Sequence, residues 1–246
     1  MTIKKKCLLF KKCIALMVSL QLLIAIQTCA QNKTIIQLIH KVGNEPLFLQ
    51  KEYTNSLGEV YTINRFKYYI SNIRLQHSNQ QITNLSNQYF LIDEADSNTK
   101  KIVLSINASD ITSISLMIGV DSLHQVTGVH TGSLDPKNGM FWTWNTGYVM
   151  AKLEGQSASA KVAGNIFSHH VGGYKSSENT ARAIVLNTTE TISKQRQIIR
   201  INVDINKWFH SAHAISITNN PICHSTGKLA MQLADNYATM FTISTE

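Results

Sequence analysis

The feature that most constrains this chain is the recurrence of short, β-branched, alternating segments separated by turn-forming residues. Thr34 to His40 (TIIQLIH) alternates cleanly and is bounded by Gly43 and Pro46. Phe66 to Leu75 (FKYYISNIRL) is aromatic-rich, with its alternation disturbed around Ser71-Asn72, where a β-bulge is expected. Tyr89 to Ile92, Lys101 to Ile106 and Ser113 to Gly119 follow, then Tyr148 to Leu153, Ala160 to Phe167, Ala183 to Leu186, Gln197 to Val203 and Ala214 to Thr218. Asn, Ser and Asp punctuate them. Strands this short bury one face each against a second sheet, so the expected fold class is all-β, an antiparallel β-sandwich, immunoglobulin-like or similar. One or two short helices are expected near the C-terminus. Asp204 can cap a turn carrying Trp208 and Phe209. Ser225 or Thr226 can cap a segment in which Leu229, Leu233 and Tyr237 fall on one face.

The first thirty residues stand apart from this pattern. Five lysines, Lys4 to Lys6 with Lys11 and Lys12, precede the apolar run Cys13 to Ile26, and Thr28-Cys29-Ala30 offers small residues ahead of Gln31. Residues 1–30 therefore read as a secretory signal peptide cleaved after Ala30, which directs the protein to a periplasmic or extracellular location. The weaker alternative is a lipoprotein signal anchored at Cys29, which the bulky polar Gln27 disfavours. Those residues hold five of the 23 basic side chains and none of the 15 acidic ones, so residues 31–246 carry +3 against +8 for the whole chain. That charge is ordinary and excludes a nucleic-acid partner argued from basicity. Cys7, Cys13 and Cys29 leave with the signal, so Cys223 has no cysteine to pair with. No second apolar run approaches membrane-span length, so no integral membrane segment is expected in the mature chain, and residues 31–246 read as one β domain.

Several chemistries are absent from the sequence. There is no Gly-rich phosphate loop, no Gly-x-Ser-x-Gly elbow and no His-Glu-x-x-His. Pro221-Ile222-Cys223-His224 ends like a haem-attachment motif, but Asn220 stands where its first cysteine belongs. Asp93, Glu94 and Asp96 lack the glycine and the bidentate glutamate of a calcium loop. No nucleophile with a base is visible, so the protein is not read as an enzyme. The stretch from Gly119 to Met140, with Asp121, His124, His130 and Asp135, is long and without an obvious element, a form that loops take when they are functional or disordered.

Residues Gly139 to Gly155 concentrate the unusual side chains. They hold two of the three tryptophans, Trp142 and Trp144, two residues apart and so on one face of an extended segment. His169 and His170 follow, with Val171-Gly172-Gly173. Taken singly, a histidine is more often exposed or structurally hydrogen-bonded than a ligand, and His77 and His124 are read that way. His40 and His170 end apolar strands, and both can project into one opening, where neutral imidazoles suit copper, zinc or iron. Two aromatics on one face are equally good as core, and both readings of the tryptophans stay open.

These pieces together resemble the MbnP-like copper-binding family, exported β proteins related to the MopE type. The resemblance rests on His40-Lys41-Val42-Gly43 with Pro46-Leu47, Phe66 to Ile73, and Gly119-Val120-Asp121. It continues through Leu134-Asp135-Pro136, Gly139 to Trp144 with Gly147-Tyr148, His170-Val171-Gly172, and Leu233 to Asn236 with Met240-Phe241. What the resemblance implies is a periplasmic or surface protein that holds one copper ion with two histidines and a kynurenine made by oxidising a tryptophan. It also implies a di-haem, MauG-like peroxidase as the partner for that oxidation. Carried onto this chain, His40 and His170 are the best ligand matches and Trp142 or Trp144 the modifiable residue. His169, His130 and His224 are held in reserve, with Cys223 beside His224 as an outlying copper(I) donor. No Trp-x-His spacing of the MopE kind occurs, because Trp144 stands where that histidine would follow Trp142. The functional expectation is copper capture, storage or delivery; the alternative is a metal-free extracytoplasmic interaction module with Gly119–Met140 and Val171–Asn179 as its surface.

Overall fold

The structure is a computed structural model that describes residues 33–106, 110–126, 130–144, 147–192 and 198–244. The proposed signal, residues 1–30, lies outside the described residues. Two sheets form the fold. The smaller contains β1 (Thr34–Val42), β2 (Glu45–Pro46), β6 (Lys101–Leu104), β12 (Ile198–Asp204) and β14 (Phe241–Ile243). The larger is built on the long strand β4 (Val60–His77). On one side β4 pairs with β3 (Glu52–Thr54) and β5 (Ile82–Asp93), and on the other with β7 (Ile111–Ile118) and β9 (Gly147–Gln156). β11 (Arg182–Ile192) extends the sheet beyond β7, and β10 (Ile166–Gly172) and β13 (Ile222–Cys223) extend it beyond β9, which also carries β8 (Phe141–Trp142).

The alternation of β1 survives intact: Ile36, Leu38, His40 and Val42 are buried while the residues between them are half-buried. Tyr61, Ile63, Phe66 and Tyr68 of β4 face them, and Tyr68 packs edge-on against Phe241 of the smaller sheet, ring centroids 5.6 Å apart. Two helices fill the space between the sheets: α2 (Asn206–Phe209) inserts Trp208 and Phe209, and α3 (Lys228–Ala238) inserts Leu233 and Tyr237. A third, α1 (Ser122–Val126), lies in the long loop together with 3₁₀ turns at Gly132–Leu134 and Pro136–Asn138. That loop is tied down by Gln125, which accepts from the Tyr148 backbone N–H at 2.6 Å and donates to the Val120 carbonyl.

The all-β class holds, with three corrections of detail. The sheets are mixed rather than wholly antiparallel: β1 runs parallel to β12, and β10 parallel to β13. A parallel pair needs a long crossover, and every strand of the larger sheet except β13 lies between β1 and β12 in the chain. Local alternation carries no record of that. Ala214 to Thr218 is not a strand, because its amides go elsewhere: the buried Glu59 carboxylate accepts the N–H groups of Ile217 and Thr218 at 2.8 and 2.9 Å. Residues 160–165 likewise belong to a turn, with left-handed Gly164 and Asn165, and the strand starts only at Ile166. The bulge expected near Ser71-Asn72 is present, with Asn72 at φ 50° and a register shift between Ser71 and Ile73.

Candidate metal centre

The site forms on the face of the larger sheet that points away from the smaller one. In β9 and β10, residues directly opposite one another share a face. Lys67 pairs with Lys152, which pairs with His170, so these three form one row. The adjacent row, Phe66, Leu153 and His169, faces the interior. Alternation therefore separates the two consecutive histidines, sending His169 inward and His170 outward. β13 lies beside β10 with His169 opposite Cys223, which sets His224 beside His170 on the outer face.

The His170 and His224 rings stack with centroids 4.3 Å apart and planes 28° from parallel. The Nε2 atoms of both reach one hydroxyl, Ser168 Oγ, at 3.2 and 2.8 Å. His170 Nε2 also meets Glu154 Oε1 at 2.6 Å, and Arg65 holds the other carboxylate oxygen at 2.7 Å. The hydrogen bond from His170 holds the Glu154 carboxyl below its ordinary range against the opposing effect of burial. Partial burial, reinforced by the facing His170 ring, lowers the His224 pKa and favours the neutral imidazole that a metal requires. Both rings present Nε2 to one point, and a copper ion held there would take the place of the His170 Nε2–H bond to Glu154. The same arrangement fails as a hydrolytic relay, which needs acid and hydroxyl on opposite nitrogens of one imidazole; here Glu154 and Ser168 share His170 Nε2.

The tryptophans lie close by, with Trp142 of β8 packed against β10. Trp142 is buried and its six-membered ring rests on Gly172, two residues beyond His170; a Cβ at Gly172 would come within 2.8 Å of that ring. Trp144 packs on Trp142, centroids 5.2 Å apart, yet is 65% exposed. The loop that carries them is held from beneath by Lys152, which is buried and donates to the Gly139 carbonyl at 2.5 Å.

The remaining sequence-derived candidates fall elsewhere. His40 faces the interior against Phe66, with Nδ1 bonded to Glu94 and Nε2 to Tyr68 Oη at 2.8 Å, so both ring nitrogens are occupied. Burial lowers its pKa despite the Glu94 contact. His169 is fully buried: its Nδ1 accepts the Trp208 indole N–H at 3.0 Å and its Nε2 donates to the Asn220 carbonyl at 2.7 Å. An indole N–H only donates, so this tautomer is imposed. His130 lies 6.5 Å ring-to-ring from Tyr148, which is four residues along β9 from Lys152, or about 13 Å at 3.3 Å per residue. Cys223 pairs with His169 and shares its face, and burial raises its thiol pKa to about 11. Among the described residues no group of three or more His, Cys, Asp or Glu side chains is arranged to hold a metal. Sequence reasoning missed Ser168 and Glu154, although Ser168-x-His170 is a same-face spacing in a strand.

A family model described as MbnP matches residues 31–225. Among solved structures, MbnP from Methylosinus trichosporium is similar in fold, with a TM-score of 0.53 and 12% identity over 74% of this chain and 78% of that one. No curated protein matches. No helix among the described residues is long and apolar enough to cross a membrane.

Proposed function

The chain belongs to the MbnP family, and from that premise we propose that it is an exported, non-enzymatic protein that holds one copper ion for capture, storage or delivery. The observation that carries this reading is the stacked His170–His224 pair, whose Nε2 atoms converge on Ser168 Oγ. His170 and His224 would hold the ion, with Trp142 or Trp144 as the residue open to oxidation. Kynurenine would add an aryl amine, a nitrogen donor that indole lacks. Glu154, held by Arg65, accepts from His170 Nε2 and would give up that hydrogen bond to the ion. Gly172 seats Trp142, and Lys152 fixes the loop that bears it. A di-haem, MauG-like peroxidase is the proposed partner for the oxidation.

A copper(I) competition titration tests the ligands. His170→Ala and His224→Ala should each weaken binding by at least tenfold with the fold intact, and unchanged affinity in both would remove this site. Peptide mass spectrometry of natively exported protein over Met140 to Lys152 tests the modification. The exposure of Trp144 favours a second reading, a metal-free interaction module, which gains if the peptide is unmodified and no copper binds.

A further inference from the structure

A second pair of imidazoles lies in the long loop, separate from the β10–β13 pair. Asp121 precedes α1 and accepts the backbone N–H of His124 at 3.2 Å, as an N-cap aspartate does from the amide three residues on. The same spacing brings the His124 ring over Asp121. His124 Nδ1 lies 3.1 Å from Asp121 Oδ1 and 2.7 Å from Tyr89 Oη, while the Tyr89 hydroxyl donates to Asp121 Oδ2. With its hydroxyl proton on Asp121, the tyrosine can only accept from Nδ1, so Nδ1 carries the ring proton and Nε2 is left with its lone pair. No described residue hydrogen-bonds that Nε2, and the side chain is 22% exposed. A carboxylate behind Nδ1–H is the arrangement that fixes the tautomer and ring orientation of a metal-binding histidine.

The second donor is His130, whose ring centroid is 5.4 Å from that of His124 with planes tilted 42°. A metal–nitrogen bond of about 2.0–2.1 Å puts each ring centroid roughly 3 Å from the ion, so rings at this separation are close enough to share one. We propose that His124 and His130 bind a divalent borderline metal ion, of the zinc, nickel or copper(II) class, independently of the His170–His224 pair, with Asp121 and Tyr89 as positioning residues.

Zinc(II) titrated by calorimetry into a His170→Ala/His224→Ala variant tests this without a contribution from the other pair. That variant should bind one zinc ion. Adding His124→Ala or His130→Ala should weaken binding at least tenfold, and Asp121→Asn should weaken it several-fold by releasing Nδ1. A parent variant that binds no zinc, or one whose affinity survives His124→Ala, would overturn the site. Histidine-selective ¹⁵N NMR of the wild-type protein is independent of how the variants fold: saturating zinc should shift ring nitrogens of both His124 and His130. Two unshifted rings would overturn the assignment.

Discussion

Histidines close together on the larger sheet have two different uses, one inside and one outside, and each substitution should report its own. His169 is a core residue whose imidazole is sandwiched between an indole donor and a carbonyl acceptor. His169→Ala leaves the buried Trp208 N–H without its acceptor and opens a void. It should cost about 2–4 kcal/mol of stability in a urea titration while copper affinity in the folded fraction stays within twofold. His224→Ala should do the reverse, because that side chain is exposed: stability within about 0.5 kcal/mol of wild type and copper affinity down at least tenfold. If the two variants behave alike, the separation of inner and outer faces is wrong.

At the scale of elements, the site depends on how β10 receives the Trp142 hairpin. Gly172 has no side chain where the indole and the Tyr148 carbonyl approach; a Cβ would lie 2.8 Å from the ring and 2.9 Å from that oxygen. Gly172→Ala should therefore displace the hairpin, cost about 1–3 kcal/mol and red-shift the tryptophan emission as Trp142 meets water. An unshifted spectrum would mean that the ring is seated by other contacts. β5 shows how an element escapes a sequence reading. Only Tyr89 to Ile92 reads as a strand, whereas the strand runs from Ile82 to Asp93. Its first half is polar because it lies at the edge of the sheet beside β4, where exposed side chains are tolerated and Asn87 adopts φ 65°.

For the molecule as a whole, burial of neutral imidazoles makes stability depend on pH. His169 has its pKa lowered to about 4 by burial, against an ordinary 6.5. The unfolded chain takes up that proton first, so the stabilisation is complete above pH 6.5 and drains away as pH falls towards 4. The loss from this group is about 3 kcal/mol. The buried His40, also lowered by burial, acts in the same direction. A series of urea midpoints from pH 7.5 to 4 should fall steadily, and His169→Phe should flatten part of the slope. Copper binding to the folded state should raise the unfolding midpoint in proportion to the logarithm of free copper.

Much of this protein is a matter of local pattern. Alternating β-branched segments specify strands because side chains of period two must divide between core and solvent, and this made β1, the core of β4 and the all-β class legible. The same rule, applied to consecutive residues, already separates His169 from His170. Pairing across the fold is not local. Nothing in the spacing of His170 and His224 along the chain records that β13 lies parallel to β10, and only that register stacks the two rings. Nothing around Glu59 reveals that it takes the amides of Ile217 and Thr218 and so denies them to a strand. His40 has the alternation of a strand-end residue pointing at an opening, but it points into the space between the sheets, where Glu94 and Tyr68 close over it. The sequence by itself determined most of the strands and which of their faces are apolar, because those follow from neighbours within a few positions. Tertiary structure alone decided which donors meet, because that depends on strand order and direction, set by packing between segments far apart in the chain.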